Sequence, residues 1–387
     1  MRGHIKKRAK GSWSIVIDLG RDATGKRKQK WHTVKGTKKE AEAELNRILN
    51  EINSGEYVEP SRMLVRDYLQ RWLKDYAEPT VSPKTYERYA QVIRDNIDPT
   101  LGNYHLSKLK PLHIQSFYTD SLTNGRKDGK GGLAAQTVLH FHRLLHKAFS
   151  QAVKWQLLAR NPVDAVEPPR PERREMNAID ETDTAQLLEK LAGSALFTPV
   201  LMAVTTGLRR GEILALRWKD VDFDEGRITV NQSLEQTAKG IRFKSPKTER
   251  SRRQVPLPSV TLDVLKDHKR SQNEERLRLG PVYQNQDIVF PRPDGSPTPP
   301  DSFSTRFADF IRRSGLKHIR LHDLRHSHAT QLLLQGVHPK IVSERLGHSN
   351  IGITLDTYSH VLPGMQEDAV LKIDASLRLA IQNNKPK

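Results

Sequence analysis

The chain of 387 residues is too long for one ordinary hydrophobic core, so we expect two or three domains. Lys and Arg number 64 against 45 Asp and Glu, and the net charge of +19 favours a polyanionic partner over a merely soluble basic protein. Cysteine is absent, which excludes disulfides, thiol nucleophiles and cysteine-based zinc sites. No apolar run is long enough to span a membrane, and the start of the chain alternates as a strand does, unlike a signal peptide. We therefore expect a cytoplasmic protein, most simply a bacterial one, with no membrane partner.

The first 57 residues predict a small basic domain. Residues 1–39 hold 13 Lys and Arg against two Asp. The segments SWSIVIDLG and KQKWHTV have the pattern of strands joined by a turn at Asp22–Gly25, and HIKKR could form a third strand. Thr37 and Glu40 form a capping box that opens a helix. Such a sheet with a basic rim could lie in the major groove of DNA, although a basic segment folded for no such purpose is the alternative.

Residues 61–165 have the pattern of a helical bundle. An apolar stripe begins at Val65, Ser82-Pro83 caps the next helix, a third helix covers Pro111–Leu122, and a long helix runs from about Ala134 to Leu158. The Pro-rich basic segment EPPRPERREMN follows, within a linker at 166–178. No helix can run through that composition, so we expect an extended connection that lies along phosphate.

The remaining residues, 179–387, predict a mostly helical domain with a C-terminal tail. GRITVNQ, GIRFKS and SRRQVPLP predict a three-stranded sheet around residues 226–258. In the tail, Val370, Ile373 and Leu377 share one helix face. That face needs a partner, either the tail's own domain or a neighbouring copy of the chain.

Charged residues stand where an apolar core would not accept them. In TTGLRRGEILALRW an apolar helix ends at Gly207, and Glu212 follows Arg209 at a spacing that can hold its guanidinium. Taken alone, this pattern more often indicates a structural ion pair at a helix start.

The segment LHDLRHSHATQLLLQG predicts an amphipathic helix that begins near Leu321. His322 and Arg325 share a face of it, and the two cations together suit a phosphate. His322 and His326 also have the spacing of paired zinc ligands. Arg325 would repel a dication, however, and no Glu follows His322, so we expect no metal.

Five motifs taken in chain order resemble the tyrosine recombinase, or phage-type integrase, family. They are TTGLRRGEILALRW, KSPKTERSRRQVPL, LHDLRHSHAT, LGHSNI and TLDTYSHV. The resemblance implies two catalytic arginines, a catalytic lysine on a β-turn, two active-site histidines and a tyrosine nucleophile, with a supporting glutamate. In this sequence these are Arg209, Arg325, Lys247, His322, His348, Tyr358 and Glu212.

The same resemblance implies the chemistry. Tyr358 forms a 3′-phosphotyrosine that conserves the energy of the broken bond, so resealing needs no ATP. Fixed cations replace a metal ion, and no cofactor is expected. Lys247 is the acid for the departing 5′-oxygen, His322 is favoured as the base, and His348 donates to the phosphate.

The resemblance also implies the architecture, which is multidomain and mainly α with small β-sheets. An arm-site DNA-binding domain (1–57, β-sheet plus helix) precedes a helical core-site-binding domain (61–165), the linker (166–178) and a mixed α/β, mostly α catalytic domain (179–387). The bundle and the catalytic domain are expected to clamp double-stranded DNA, and a homotetramer on DNA is expected to exchange strands. An excisionase and a host DNA-bending protein are further partners of such integrases of phages and conjugative elements.

Three other functions compete with this prediction. A binding protein that merely keeps the fold would have no need of Tyr358. A metal-dependent transposase would need clustered carboxylates and divalent ions. A resolvase of chromosome dimers would lack the basic domain before residue 58.

Overall fold

A computed structural model describes residues 3–21, 25, 27–53, 62–172, 178–245, 252–358, 370–371 and 373–378. The chain divides into two compact units, Met1–Arg173 and Arg174–Lys387. Helices predominate in both units and the sheets are small and antiparallel, which confirms the predicted fold class.

The first unit begins with a three-stranded antiparallel sheet. Its strands are β1 (Gly3–Ala9), β2 (Ser12–Arg21) and β3 (Arg27–Lys35), with β2 in the centre. Helix α1 (Lys38–Asn53) covers one face, where Ile15, Ile17 and Ile48 form a small core. The predicted capping box is present, because the Glu40 carboxylate accepts from the Thr37 backbone N–H at 2.6 Å and the Thr37 hydroxyl accepts from the Glu40 N–H at 3.3 Å. The three strands and the helix start are thus confirmed, whereas most of the turn predicted at Asp22–Gly25 lies outside the described residues.

A helical bundle follows in the same unit. Its helices are α2 (Val65–Trp72, extended by a π-helical turn Leu73–Ala77 and by Glu78–Thr80), α3 (Pro83–Val92, extended by Ile93–Ile97 and Asp98–Leu101), α4 (Pro111–Asn124) and α5 (Ala135–Lys154), with a 3₁₀ turn at Leu106–Lys108. Their apolar stripes meet in one core. The predicted N-cap at Ser82 is confirmed, because its hydroxyl accepts from the Thr85 N–H. Helix α5 was predicted to reach Leu158 but ends at Lys154, since Gln156 adopts a φ of 57° that no right-handed helix contains.

Residues 167–172 of the linker contain no helix or strand, as their proline content predicts. Residues 173–177, the rest of the EPPRPERREMN segment, lie outside the described part of the chain.

The second unit is mostly helical. Its helices are α6 (Glu181–Leu191), α7 (Phe197–Thr206), α8 (Arg210–Ala215), α9 (Ser259–Leu279), α10 (Pro300–Ser314), α11 (Leu321–Leu334), α12 (Pro339–Leu346) and α13 (Ile351–Tyr358), with 3₁₀ turns at Trp218–Asp220 and Gly280–Val282. One large apolar core contains side chains from all six helices from α6 through α11 and from the strands. The prediction that α11 has a single apolar face was wrong. It buries Asp323, Arg325, Ser327 and His328 as well as its leucines, because those polar groups have hydrogen-bond partners inside the domain.

The predicted three-stranded sheet was also wrong in its pairing. The observed sheet has the order β4 (Val221–Asp222), β5 (Arg227–Val230), β8 (Arg253–Pro256), and β6 (Ser233–Thr237) with β7 (Gly240–Lys244) forms a separate hairpin. GIRFKS therefore pairs with the polar segment SLEQT instead of with its predicted neighbours. The tight turn before Gly240, whose φ is 113°, lets β7 fold back on β6 at once.

The described part of the C-terminal tail, residues 370–371 and 373–378, is helical. Val370, Ile373 and Leu377 are 62%, 60% and 56% exposed, so their shared face has little contact with the rest of the described chain. None of the described helices combines the length and apolar character that crossing a bilayer requires.

Candidate active site

Arg209 lies where α7 turns into α8. Gly207 ends α7 with a φ of 64°, and a Cβ there would come within 2.7 Å of Leu346 and His328, so this turn requires glycine. Arg209 then caps α8, its guanidinium donating to the Glu212 carboxylate at 2.9 Å and to the Gly347 carbonyl at 3.0 Å. The side chain remains 42% exposed. The Arg209–Glu212 pair expected from the sequence therefore exists, and it leaves the guanidinium accessible.

The Glu212 carboxylate is shared with a second arginine. Arg253, on β8, donates to both carboxylate oxygens at 2.8 and 3.2 Å and to the Arg345 carbonyl at 2.7 Å. Both side chains are less than one tenth exposed. Burial would raise the pKa of Glu212, but the hydrogen bonds and charges of Arg253 and Arg209 hold that pKa below its usual value. Sequence reasoning missed Arg253, although it lies within the KSPKTERSRRQVPL motif and on a predicted strand.

Arg325 is the most deeply buried cation of the site. It lies on α11, is 3% exposed, and donates to the carbonyls of Gly207 at 2.7 Å and Leu346 at 2.8 Å. Arg209 binds the next carbonyl along, that of Gly347, so the two guanidinium groups are neighbours. Burial and then the charge of Arg209 lower the pKa of Arg325 to about 9, so it stays charged at neutral pH. Two adjacent guanidinium groups repel each other electrostatically, so their positions favour the binding of an anion between them.

Tyr358 ends α13 and is 2% exposed. Its ring packs in a small cluster with Ala329, Leu333, Val342 and Leu346. Burial raises the pKa of Tyr358 to about 12, although the charge of Arg325 opposes that rise, so the hydroxyl is protonated at neutral pH. The predicted nucleophile is therefore buried beside the predicted catalytic arginine.

Three histidines surround these groups. His322 is exposed and meets the ring of His326 edge-on, with centroids 4.8 Å apart, while His348 Nδ1 lies 2.8 Å from the Thr354 hydroxyl. Burial, and after it neighbouring positive charge, lowers the pKa of His326 and His348 to about 4. Partial desolvation by neighbouring side chains, and after it the charge of Arg325, also lowers the pKa of His322. All three imidazoles are thus neutral at pH 7.

The histidine that hydrogen-bonds the predicted nucleophile differs from the one favoured as the base on sequence. Among the described residues, His326 Nδ1 lies 2.7 Å from the Tyr358 hydroxyl, and His322 makes no such contact. Lys247 lies outside the described residues, as do its neighbours 246–251. Within the described part of the chain, no group of three or more His, Asp or Glu side chains could hold a metal ion.

Comparison with known proteins identifies the family. Three family models match in succession: the arm DNA-binding domain over residues 4–52, the phage integrase N-terminal SAM-like domain over 64–122, and the phage integrase family over 172–364. The chain is 33% identical to a tyrosine recombinase XerC-like protein of Caldanaerobacter subterraneus subsp. tengcongensis, over 94% of this chain and 96% of that one. It is 30% identical to the ICEBs1 integrase of Bacillus subtilis, over 96% and 99%. This chain belongs to the phage integrase family.

The fold of this recombinase agrees with solved structures of integrases. The Tn1549 transposon integrase in complex with a circular intermediate DNA has a TM-score of 0.68 at 19% identity, covering 80% of this chain and 99% of that one. The lambda integrase tetramer bound to a Holliday junction has a TM-score of 0.56 at 19% identity, covering 89% and 95%. The family, the fold class and the enzyme class predicted from the sequence are confirmed: the chain is a tyrosine recombinase.

Proposed function

We propose that this recombinase cleaves double-stranded DNA at attachment sites through a 3′-phosphotyrosine on Tyr358, rejoins the exchanged strands, and so integrates and excises a mobile genetic element. One observation carries the proposal. Arg325 and Arg209 bind the carbonyls of consecutive residues, Leu346 and Gly347, next to the buried Tyr358. Two positive charges fixed side by side favour the binding of a phosphate, because each guanidinium group can bind one of its two non-bridging oxygens.

The chemistry follows from this arrangement. A phosphodiester repels nucleophiles by its own charge, and two fixed guanidinium groups can neutralise the charge that grows on its non-bridging oxygens. Carbonyl partners and the Glu212–Arg253 pair hold these groups, so they need no reorganisation during the reaction. Lys247 supplies the proton to the departing 5′-oxygen, and His322 and His348 face the phosphate. The chain needs no metal, ATP or other cofactor for this reaction.

The division into DNA-binding domains remains part of the proposal. Residues 1–57 read an arm site, residues 61–165 bind the core site, and the linker 166–178 joins them to the catalytic domain at 179–387. The sheet face opposite α1 supports the first role: Trp31 is 60% exposed, Lys6 Nζ lies 6.0 Å from its ring centre, and Arg8 donates to Thr33. Cations around an exposed aromatic ring on a flat sheet suit the phosphates and base edges of a major groove.

Strand exchange between two duplexes requires four nucleophiles, so the working form is a homotetramer on DNA. The exposed apolar face of Val370, Ile373 and Leu377 supports contact between neighbouring protomers through the tail. An excisionase and a host DNA-bending protein are the further partners. Action on the chromosome of a bacterial host places this work in the cytoplasm.

Replacement of Tyr358 by Phe tests the nucleophile. Tyr358→Phe removes one hydroxyl and little volume, so folding and DNA affinity should survive while cleavage disappears. The parent protein incubated with nicked attachment-site DNA in excess chelator should yield a covalent complex that peptide mapping assigns to Tyr358. Covalent complexes formed by Tyr358→Phe would show that the nucleophile is a different residue. No covalent complex from the parent, with tight DNA binding, would support a binding protein instead.

A further inference from the structure

The hydrogen bond between His326 and Tyr358 joins the two helices that build the site. His326 follows the buried Arg325 on α11, and Tyr358 ends α13. The His326 Nδ1 atom lies 2.7 Å from the Tyr358 hydroxyl, within the range of a strong hydrogen bond. No other ring nitrogen among the described residues makes this contact.

Both partners are in the protonation state that a proton transfer needs. The pKa of His326 is about 4 because of burial and the nearby His322, and the pKa of Tyr358 is about 12 because of burial. At neutral pH the imidazole is uncharged and the phenol holds its proton. An imidazole protonated at Nε2 presents its Nδ1 lone pair to the phenol O–H.

We propose that His326 is a further catalytic residue, the base that accepts the Tyr358 proton when the tyrosine oxygen attacks phosphorus. In cleavage the bond between Tyr358 Oη and phosphorus forms, the bond from phosphorus to the 5′-oxygen breaks, and the phenol proton moves to His326 Nδ1. The 5′-oxygen takes its proton from the acid, Lys247 in the proposed function on which this inference rests. In rejoining, a 5′-hydroxyl attacks phosphorus and gives its proton to the Lys247 amine. The bond between phosphorus and Tyr358 Oη breaks, and the His326 imidazolium returns its proton to the leaving tyrosine oxygen.

The charges around His326 explain how a neutral, weakly basic imidazole becomes an adequate base only with DNA bound. Arg325, Arg320 and His322 oppose a positive charge on it, and Asp323 favours one. His348 also interacts with the ring. A phosphate seated on Arg325 and Arg209 adds negative charge beside these cations, which raises the proton affinity of His326 at the moment of attack. The free protein therefore keeps its nucleophile protonated, and the substrate itself activates it.

The role of His322 changes accordingly. Its exposed ring meets the His326 ring, and among the described residues only His326 hydrogen-bonds Tyr358, so we assign His322 to the phosphate instead. His322→Gln is therefore the matched control for His326→Gln, because both variants replace a histidine on α11 with an amide of similar size and only one touches the nucleophile.

The experiment measures single-turnover covalent-complex formation on nicked attachment-site DNA. His326→Gln should slow cleavage by ~10²–10⁴, the usual range for general acid–base catalysis. A fluorinated tyrosine at position 358 has a more acidic phenol and depends less on a base, so it should restore most of the lost rate to His326→Gln. It should give His322→Gln no comparable gain. A bridging 5′-sulfur, which removes the need for an acid, should leave His326→Gln slow. Parent-like cleavage by His326→Gln, or equal gains from fluorotyrosine in both variants, would overturn the proposal.

A measurement on the unaltered site covers the case in which His326→Gln fails to fold. Nitrogen-15 NMR of histidine-labelled full-length protein should give His326 the shifts of a neutral ring protonated at Nε2, and Tyr358→Phe should move that signal and so assign it. A ring protonated at Nδ1 would contradict the base role. The Tyr358→Phe cleavage assay separates the two proposals: if that variant still forms covalent complexes the proposed nucleophile fails, whereas an inactive Tyr358→Phe beside a normal His326→Gln removes only the base assignment.

Discussion

Helix α5 of the first unit and helix α11 of the second bury different kinds of side chain. Every buried residue of α5 is apolar, from Val138 to Ala152. Helix α11 buries a guanidinium, a carboxylate, a hydroxyl and an imidazole among its leucines. A buried guanidinium costs free energy unless its donors are hydrogen-bonded and its charge is paired. The first unit therefore has an ordinary apolar core, while the second unit gives up some stability to hold the groups of its candidate site in place.

Deletion of residues 1–57 should have the largest effect on the complete reaction. If catalysis belongs to the second unit and arm-site reading to the first, the truncated chain should still cleave a core site but lose recombination between full attachment sites. The truncated chain should also lose its affinity for arm-site DNA. In the full chain that affinity should fall steeply as the salt concentration rises, because the N-terminal segment is basic. Recombination assays on full and core-only sites measure both effects. Normal recombination by the truncated chain would remove the arm-reading role.

The next effect separates Lys247 from the fixed arginines. An alkoxide is a poor leaving group, whereas a thiolate, whose conjugate acid has a pKa of about 8.5, leaves unaided. Lys247→Ala should cleave ordinary DNA more slowly by ~10²–10⁴ and recover most of its rate on DNA with a bridging 5′-sulfur. Arg209→Ala should not recover, because charge on the non-bridging oxygens still needs neutralising.

The contrast between these two variants decides the role of Lys247. If the sulfur rescues both alike, or neither, then Lys247 is one more phosphate-binding cation and the acid has to be sought at His322.

Much of the first unit could be predicted from the sequence, because its elements depend on local patterns. The capping box at Thr37 and the N-cap at Ser82 use residues within one helical turn, and the apolar stripes repeat with helical period. Pairing between distant segments was harder. GIRFKS has the residue pattern of a strand, but nothing in that pattern specifies SLEQT as the strand with which it pairs.

The second unit shows a sharper limit. The motifs located the turn before Arg209 and the helix that ends at Tyr358, yet the contacts that matter join residues far apart in the chain. Arg253 reaches Glu212 across 41 positions, and His326 reaches Tyr358 across 32. His322 and His326 lie one turn apart on α11, and only the position of α13 decides which of them contacts Tyr358. The helical periodicity of the sequence could not predict which of these two histidines makes the contact.

A core substitution in α5 should destabilise the first unit without touching the second. Phe149 is fully buried and stacks on Tyr68 with centroids 6.1 Å apart. Phe149→Ala should lower the free energy of unfolding of that unit by about 3–5 kcal/mol. Ser327→Ala in α11 should cost the second unit about 1–3 kcal/mol, since it leaves the Ile179 N–H without its acceptor.

Fluorotryptophan NMR during urea unfolding reports the units separately. Trp72 and Trp155 lie in the first unit and Trp218 in the second. Phe149→Ala should move the midpoint of the first two signals only, and Ser327→Ala that of Trp218 only. A common shift of all three signals would mean that the two units unfold together and that their cores are not separate.

Mild acid should produce the smallest effect, and it should be larger in the second unit than in the first. Among the described residues, five histidines of the second unit and one of the first, His142, have a pKa lowered chiefly by burial. The five are His268, His322, His326, His328 and His348.

The sign of this effect follows from proton binding. Unfolding returns each ring to a pKa of about 6.5, while the folded values reach about 4 for His326, His328 and His348. Between about pH 6.5 and 4 the unfolded chain binds more protons than the folded one, so the free energy of unfolding falls as the pH falls through that window. From pH 7 to 5 the Trp218 midpoint should therefore drop further than those of Trp72 and Trp155. His328→Gln removes one of the titrating rings without touching Tyr358. It should therefore reduce the drop in the Trp218 unfolding midpoint between pH 7 and pH 5. A Trp218 midpoint that follows pH no more than the other two would mean that the folded site already holds protonated histidines, and His326 could then not serve as a base.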